Sequence, residues 1–155
     1  GGVYNIGRTP IADQVQLLGE ISAVQVHKIT PRAAVGSESF PAAYGFVPGY
    51  NPNFQTKNGL AISGTLVLGY PGIFEGWDLN VPISYSQQLK GRTLVGGVGG
   101  EGDKRYSVGA SFTRRGNMTI GVTYLGYLGS ASLVPMTQRL LTDRDQLSVT
   151  MKYTF

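Results

Sequence analysis

Leu60-Ala61-Ile62-Ser63-Gly64-Thr65-Leu66-Val67-Leu68-Gly69-Tyr70 is followed, after six residues, by Trp77-Asp78-Leu79-Asn80-Val81-Pro82-Ile83-Ser84-Tyr85. Both stretches change character at every second position. Leu60, Ile62, Leu66, Leu68 and Tyr70 share one side of an extended chain, and Ala61, Ser63, Thr65 and Gly69 share the other. In the second stretch Trp77, Leu79, Val81, Ile83 and Tyr85 oppose Asp78, Asn80, Pro82 and Ser84. Successive side chains of a β-strand point to opposite faces, so period two predicts adjacent strands with one apolar and one polar face. Pro82 is the awkward member, because it has no N–H to give to a ladder.

The same alternation recurs on both sides. Tyr106, Val108, Ala110 and Phe112 oppose Ser107, Gly109, Ser111 and Thr113; after Arg114-Arg115-Gly116, Met118, Ile120, Val122 and Tyr124 oppose Thr119, Gly121 and Thr123. That pair reads as a hairpin. Leu147, Val149, Met151, Tyr153 and Phe155 oppose Ser148, Thr150, Lys152 and Thr154. Upstream, Val15, Leu17, Gly19, Ile21 and Ala23 share a face until Val24 and Val26 break phase, the mark of a bulge. Six strands are predicted, at 14–27, 59–70, 77–87, 104–113, 117–128 and 145–155, in one all-β antiparallel unit over 1–155.

Composition narrows the class. With 41% apolar and 14% charged residues the chain is not a disordered segment. Its 23 glycines and 8 prolines, about a fifth of the chain, disfavour a helical bundle. No cysteine and a single histidine, His27, argue against disulfides, a metal site or a bound cofactor. The net charge of +4 is spread out, with no basic run longer than Lys104-Arg105 or Arg114-Arg115, so nucleic acid is not an expected partner. No stretch reads as a membrane helix or a signal peptide.

Connection lengths carry the next inference. Loops at 30–58, 88–103 and 129–144 are long, and those between them are short. A soluble sandwich gives no reason for such alternation, whereas outer-membrane barrels have short turns on the periplasmic side and long loops outside. Tyr70, Trp77, Phe112, Tyr153 and Phe155 then fall at one rim and Tyr85, Tyr106 and Tyr124 at the other, with aliphatic residues between. Amphipathic rings favour the headgroup level, so this is the order an aromatic girdle requires. The opposite face, mostly Ser, Thr and Asn, would line a lumen. Its candidate lining residues are Glu20, Asp78, Asn80 and Lys152. The alternative fold is a secreted soluble β-sandwich acting as a binding module, with the apolar face as its core.

Gln146-Leu147-Ser148-Val149-Thr150-Met151-Lys152-Tyr153-Thr154-Phe155 resembles the closing strand of Gram-negative outer-membrane β-barrels, with an aromatic two positions before a terminal Phe. The resemblance implies that Tyr153 and Phe155 serve as the signal to the barrel-assembly machinery. More loosely, the whole chain resembles the C-terminal third of a large porin-like barrel family, a domain of unknown function. Single-chain bacterial barrels have at least about eight strands, so either Gly1 to Asp13 holds more pairing, for instance Val3 to Ile6 as the tail of an earlier strand, or, the favoured reading, the six are the C-terminal part of a larger barrel whose other strands precede Gly1.

The chemistry-bearing residues are few. His27 lacks a recognisable nucleophile or orienting acid, and no Gly-x-Ser-x-Gly elbow is present, so the chain is not expected to be an enzyme. Gly91 to Gly102 lacks the Gly-Lys-Ser/Thr ending of a phosphate loop and reads as a surface loop. Glu101, Asp103, Lys104, Arg105, Asp143, Arg144 and Asp145 read as solvated loop charges, whose basic members could meet lipopolysaccharide phosphates. Tyr44, Phe46, Tyr50 and Phe54, in the Pro-rich loop, are candidates to contact an apolar solute or to pack on one another. The expected function is an outer-membrane channel or transporter passing a small solute, an apolar one among the candidates, through a polar lumen. A structural or adhesive barrel with a plugged interior is the competing reading.

Overall fold

In a computed structural model, residues 1–25, 27, 58–91, 100–114, 117–129 and 144–154 are described. They form seven strands: β1 (Gly2–Gly7), β2 (Gln14–Gln25), β3 (Asn58–Phe74), β4 (Trp77–Lys90), β5 (Lys104–Arg114), β6 (Met118–Leu128) and β7 (Gln146–Tyr153). All lie in one sheet in the order β1-β2-β3-β4-β5-β6-β7, and every pairing is antiparallel. No helix occurs among the described residues, so none there is long and apolar enough to cross a membrane. The sheet is open, since β1 and β7 each pair on one side only.

The register keeps each face intact from edge to edge. Leu17 lies opposite Leu66, Leu66 opposite Ile83 and Ile83 opposite Val108. Val108 then lies opposite Tyr124, and Tyr124 opposite Leu147. On the other face a row runs from Leu18 through Thr65, Ser84, Ser107 and Leu125 to Gln146. A slip of one residue in any ladder would exchange the faces from that strand onward.

Nothing in the described structure covers the apolar face. Its buried hydrophobic residues are Ala12 and Val15 alone, while Ile21, Leu147, Val149 and Met151 are about 70% exposed. A soluble sandwich would need a second sheet packed on this one, and the described residues contain one sheet. Neither face is buried as a whole over the central strands: Ile83, Tyr85 and Val108 are exposed on one, Ser63, Asp78 and Asn80 on the other, and most of their neighbours are half-buried.

Six of the strands match the predicted ones, and β1 falls where the less favoured alternative, pairing at Val3 to Ile6, places a strand. Its six residues carry only Tyr4 and Ile6 against Val3 and Asn5, and a bulge between Asn5 and Gly7 interrupts the pairing with β2, so the periodic signal is too short to favour a strand by itself. Strands β3 and β4 run longer than predicted. An irregularity lets the ladder pass from Tyr70–Leu79 to Phe74–Trp77, and a bulge at the other end places Leu60 opposite Lys90 but Ala61 opposite Gln88. Between Phe74 and Trp77 only Glu75 and Gly76 remain, and Gly76 takes a positive φ of 74° that a side chain would strain.

Pro82 is central after all, and its neighbour explains how. The β4–β5 ladder lapses between Asn80–Ser111 and Ile83–Val108, while the β3 side keeps the Val67–Pro82 pair. The missing N–H therefore faces β5. Gly109 leaves room there, since a Cβ on it would stand 3.2 Å from Pro82 Cγ.

Aromatic side chains stand near both ends of the apolar face. Tyr106 lies opposite Gly126 and covers it, a Cβ on Gly126 falling 2.6 Å from the ring, and Tyr106 meets Tyr124 with ring centroids 6.0 Å apart. At the other end the Arg114 guanidinium lies 5.8 Å from the Trp77 ring centroid, and Tyr70 donates a hydrogen bond to the Ile11 carbonyl at 2.8 Å. Gly126→Val should therefore displace the Tyr106 ring and cost about 1–3 kcal/mol. Gly19→Ala, whose Cβ would meet nothing within 4 Å, should change stability by less than about 0.5 kcal/mol. Urea midpoints followed by far-UV circular dichroism on the folded protein check the contrast.

Candidate functional site

The polar face is the only surface on which the candidate lining residues Glu20, Asp78, Asn80 and Lys152 converge, and the ladders set them in rows. Glu20 lies opposite Ser63, Ser63 opposite Ser86, and Ser86 opposite Arg105. Asp78 lies opposite Thr113, Thr113 opposite Thr119, and Thr119 opposite Lys152. Asn80 lies between Gly69 and Ser111. Asp78 and Lys152 thus share a row and Glu20 does not; it stands toward the other end of the sheet.

Local bonds decide what each group can do. Glu20 Oε1 accepts a hydrogen bond from Ser22 Oγ at 2.8 Å, and Arg105 Nε donates to Ser86 Oγ at 2.9 Å. Thr65 and Ser84 hydroxyls join β3 to β4 at 2.9 Å, and Gln16 Nε2 donates to Asn5 Oδ1 at 2.8 Å. Gly69 lets its neighbours close in: a Cβ there would lie 3.1 Å from Gln14 Cβ and 3.4 Å from Asn80 Oδ1. Asp78 has a structural task as well, because its Oδ1 accepts the Gly72 N–H at 2.8 Å and ties down the approach to the β3–β4 turn.

Arg105 belongs to the same polar face. Although it falls within the predicted strand 104–113, its charge groups it in sequence with Glu101 and Asp103 of the loop; in the structure it sits within β5, two positions before Ser107 and on the same face. Its place in the Ser107, Gly109, Ser111 series was the available signal.

Two of the carboxylates expected to be solvated loop charges, Glu101 and Asp145, are engaged with the chain's own backbone or hydroxyls. Glu101 Oε2 accepts the Gly91 N–H at 2.8 Å. Gln88 is buried, its Nε2 donates to the Lys90 carbonyl, and its backbone pairs with Asp103 and Gly102, which pinches the base of the β4–β5 connection. Asp145 accepts from the Tyr124 hydroxyl and from the Tyr127 N–H, the latter at 3.3 Å, and so fastens the start of β7 to β6. His27 lies just beyond β2 and is exposed. Among the described residues no cluster of three His, Asp or Glu is placed to hold a metal ion. Tyr44, Phe46, Tyr50, Phe54, Asp143 and Phe155 lie outside the described residues, whereas Tyr153 closes β7 and is half exposed at 53%.

Chemically, the face offers hydroxyls, carboxamides and four separated charges on a wall of backbone. It can hydrate a solute and offer it hydrogen-bond donors and acceptors. Residues 2–155 match a family model described as "Protein of unknown function (DUF1302)". No curated protein and no solved structure matches the chain. Asp78→Ala should cost about 1 kcal/mol through the orphaned Gly72 N–H, with Asp78→Asn keeping most of the stability. Equilibrium urea titration of the two variants checks this.

Proposed function

We propose an outer-membrane channel or transporter as the function of this chain, which belongs to the DUF1302 family: its seven strands form part of a barrel wall through which a small solute diffuses along the polar face. The observation that carries this reading is the uncovered apolar face, aliphatic in the middle and aromatic toward both ends, on a sheet with no second layer among the described residues. Apolar patches beyond a few hundred Å² mark protein or membrane contacts, and here the patch is one whole side of a sheet. From Trp77 to Tyr85 that face runs nine residues, roughly 27 Å along the strand, close to what a tilted strand needs to cross a bilayer.

Topology supports the same orientation. In a meander the connections alternate between the two ends of the sheet. The gaps 8–13, 75–76 and 115–117 fall at one end, together with the end of β7, and the longer 26–57, 91–103 and 129–145 fall at the other. Short periplasmic turns and long external loops are the barrel arrangement.

In lipid the free edges of β1 and β7 would each leave unpaired backbone groups at several kcal/mol apiece, so this reading requires further strands to close the ring. Outer-membrane lipid and lipopolysaccharide are then its surroundings, the barrel-assembly machinery the partner that inserts it, and no covalent step is involved.

The chain contains no cysteine, which makes single-cysteine labelling a direct test. In membranes Val122→Cys should react with a lipid-soluble maleimide and resist a charged water-soluble one, and Thr123→Cys, one residue on and facing the other way, should show the reverse. Ready labelling of Val122→Cys by the charged reagent would overturn the membrane reading. A change in gel mobility between unboiled and boiled outer-membrane fractions, with conductance in planar bilayers, supports the channel; the shift without conductance assigns a closed structural barrel instead.

A further inference from the structure

Ionisable side chains on the polar face stand, among the described strand residues, only in two rows, one near each end of the sheet. One row is Asp78, Thr113, Thr119, Lys152 and the other is Glu20, Ser63, Ser86, Arg105, Tyr127. Over four successive strands each reads acid, hydroxyl, hydroxyl, base, and the second then ends on the neutral phenol of Tyr127. Three strand spacings separate acid from base, roughly 14 Å, too far for an ion pair and beyond the screening length in physiological salt. Each row is therefore electrically balanced as a whole while presenting both signs.

Between them lie three rows, those containing Asn80, Pro82 and Ser84 on β4. They carry hydroxyls, carboxamides, a few apolar side chains and three glycines, and no ionisable group. From the Asp78 row to the Ser86 row the wall spans eight residues, roughly 27 Å along the strand. An ion crossing that stretch gives up part of its hydration for dipoles alone, whereas a neutral solute with hydroxyl or amide groups exchanges its water for Thr65, Ser84 and their neighbours at little cost. Rings of one charge sign make a pore cation- or anion-selective, and neither balanced row is such a ring.

We infer that this face selects uncharged solutes bearing hydroxyl or amide groups, and discriminates against charged molecules of the same size. The inference rests on the proposed lumen and deepens it by naming the solute class. The neutral stretch does the sorting, and the two mixed-charge rows guard its ends without preferring either ion.

The test uses the full-length protein in planar bilayers and in phospholipid vesicles. Under a potassium chloride gradient the potassium-to-chloride permeability ratio should lie within about twofold of one. In vesicle swelling, a neutral polyol should enter several times faster than a carboxylate or an ammonium compound of matched size. Ser84→Asp, which puts a carboxylate into the neutral stretch, should shift the ratio toward potassium by more than Glu20→Gln shifts it toward chloride or Arg105→Gln toward potassium. A wild-type ratio beyond about tenfold in either direction, or equal entry of charged and neutral solutes, would overturn the inference while leaving the channel in place. Absence of any conductance or solute entry, in protein that still changes mobility on heating, overturns the open lumen and this inference with it.

Discussion

Backbone pairing between neighbouring strands is what the rest of this structure depends on. Each of β2 to β6 is tied to the strand before and the strand after it, β1 and β7 to one neighbour each, and no second layer packs on the sheet among the described residues. With Ala12 and Val15 as the buried hydrophobic residues, core packing contributes little, and hydrogen-bonded ladders plus cross-strand side-chain pairs carry the order. Each face must then find its own surroundings. The apolar face has to meet something apolar, the polar face has to meet water, and both demands fall on a wall one strand thick.

That constraint explains why small details of the ladder matter. Tyr106 lying over Gly126 supplies contact where glycine has no side chain of its own, an arrangement that pins register in isolated sheets. The gap at Pro82 is tolerated because β3 still pairs with that residue and Gly109 receives its ring. Asp78 on the Gly72 N–H and Asp145 on the Tyr127 N–H fix a turn and a strand start at opposite ends of the sheet. None of these needs a buried core.

Much of the fold was legible because period two is written in side chains that cannot serve both faces. Leu79, Val81 and Ile83 against Asn80 and Ser84 admit one strand phase, and the structure keeps it. The signal failed where it was short or broken: β1 has six residues and a bulge, and the ends of β3 and β4 extend through irregular pairings. For the candidate site, faces followed from alternation, so Glu20, Asp78, Asn80 and Lys152 were readable as one surface. Which of them share a row depends on register between strands far apart in sequence, and no local pattern encodes that. Arg105 was missed because its neighbours Asp103 and Lys104 resemble a loop, although its spacing from Ser107 already placed it on the wall.

Strand order in this sheet follows chain order without exception. Each strand finds its partner in the next strand of the chain, so every described ladder spans a single connection, the widest separation being Gln14 opposite Gly69, and closure entropy accrues one connection at a time. Such a wall can be laid down hairpin by hairpin, each addition templated on an edge already formed. It also has a modular history open to it: a two-strand unit gained or lost would alter the width of the sheet without re-threading any other strand, so that its width can evolve independently of the residues on its two faces.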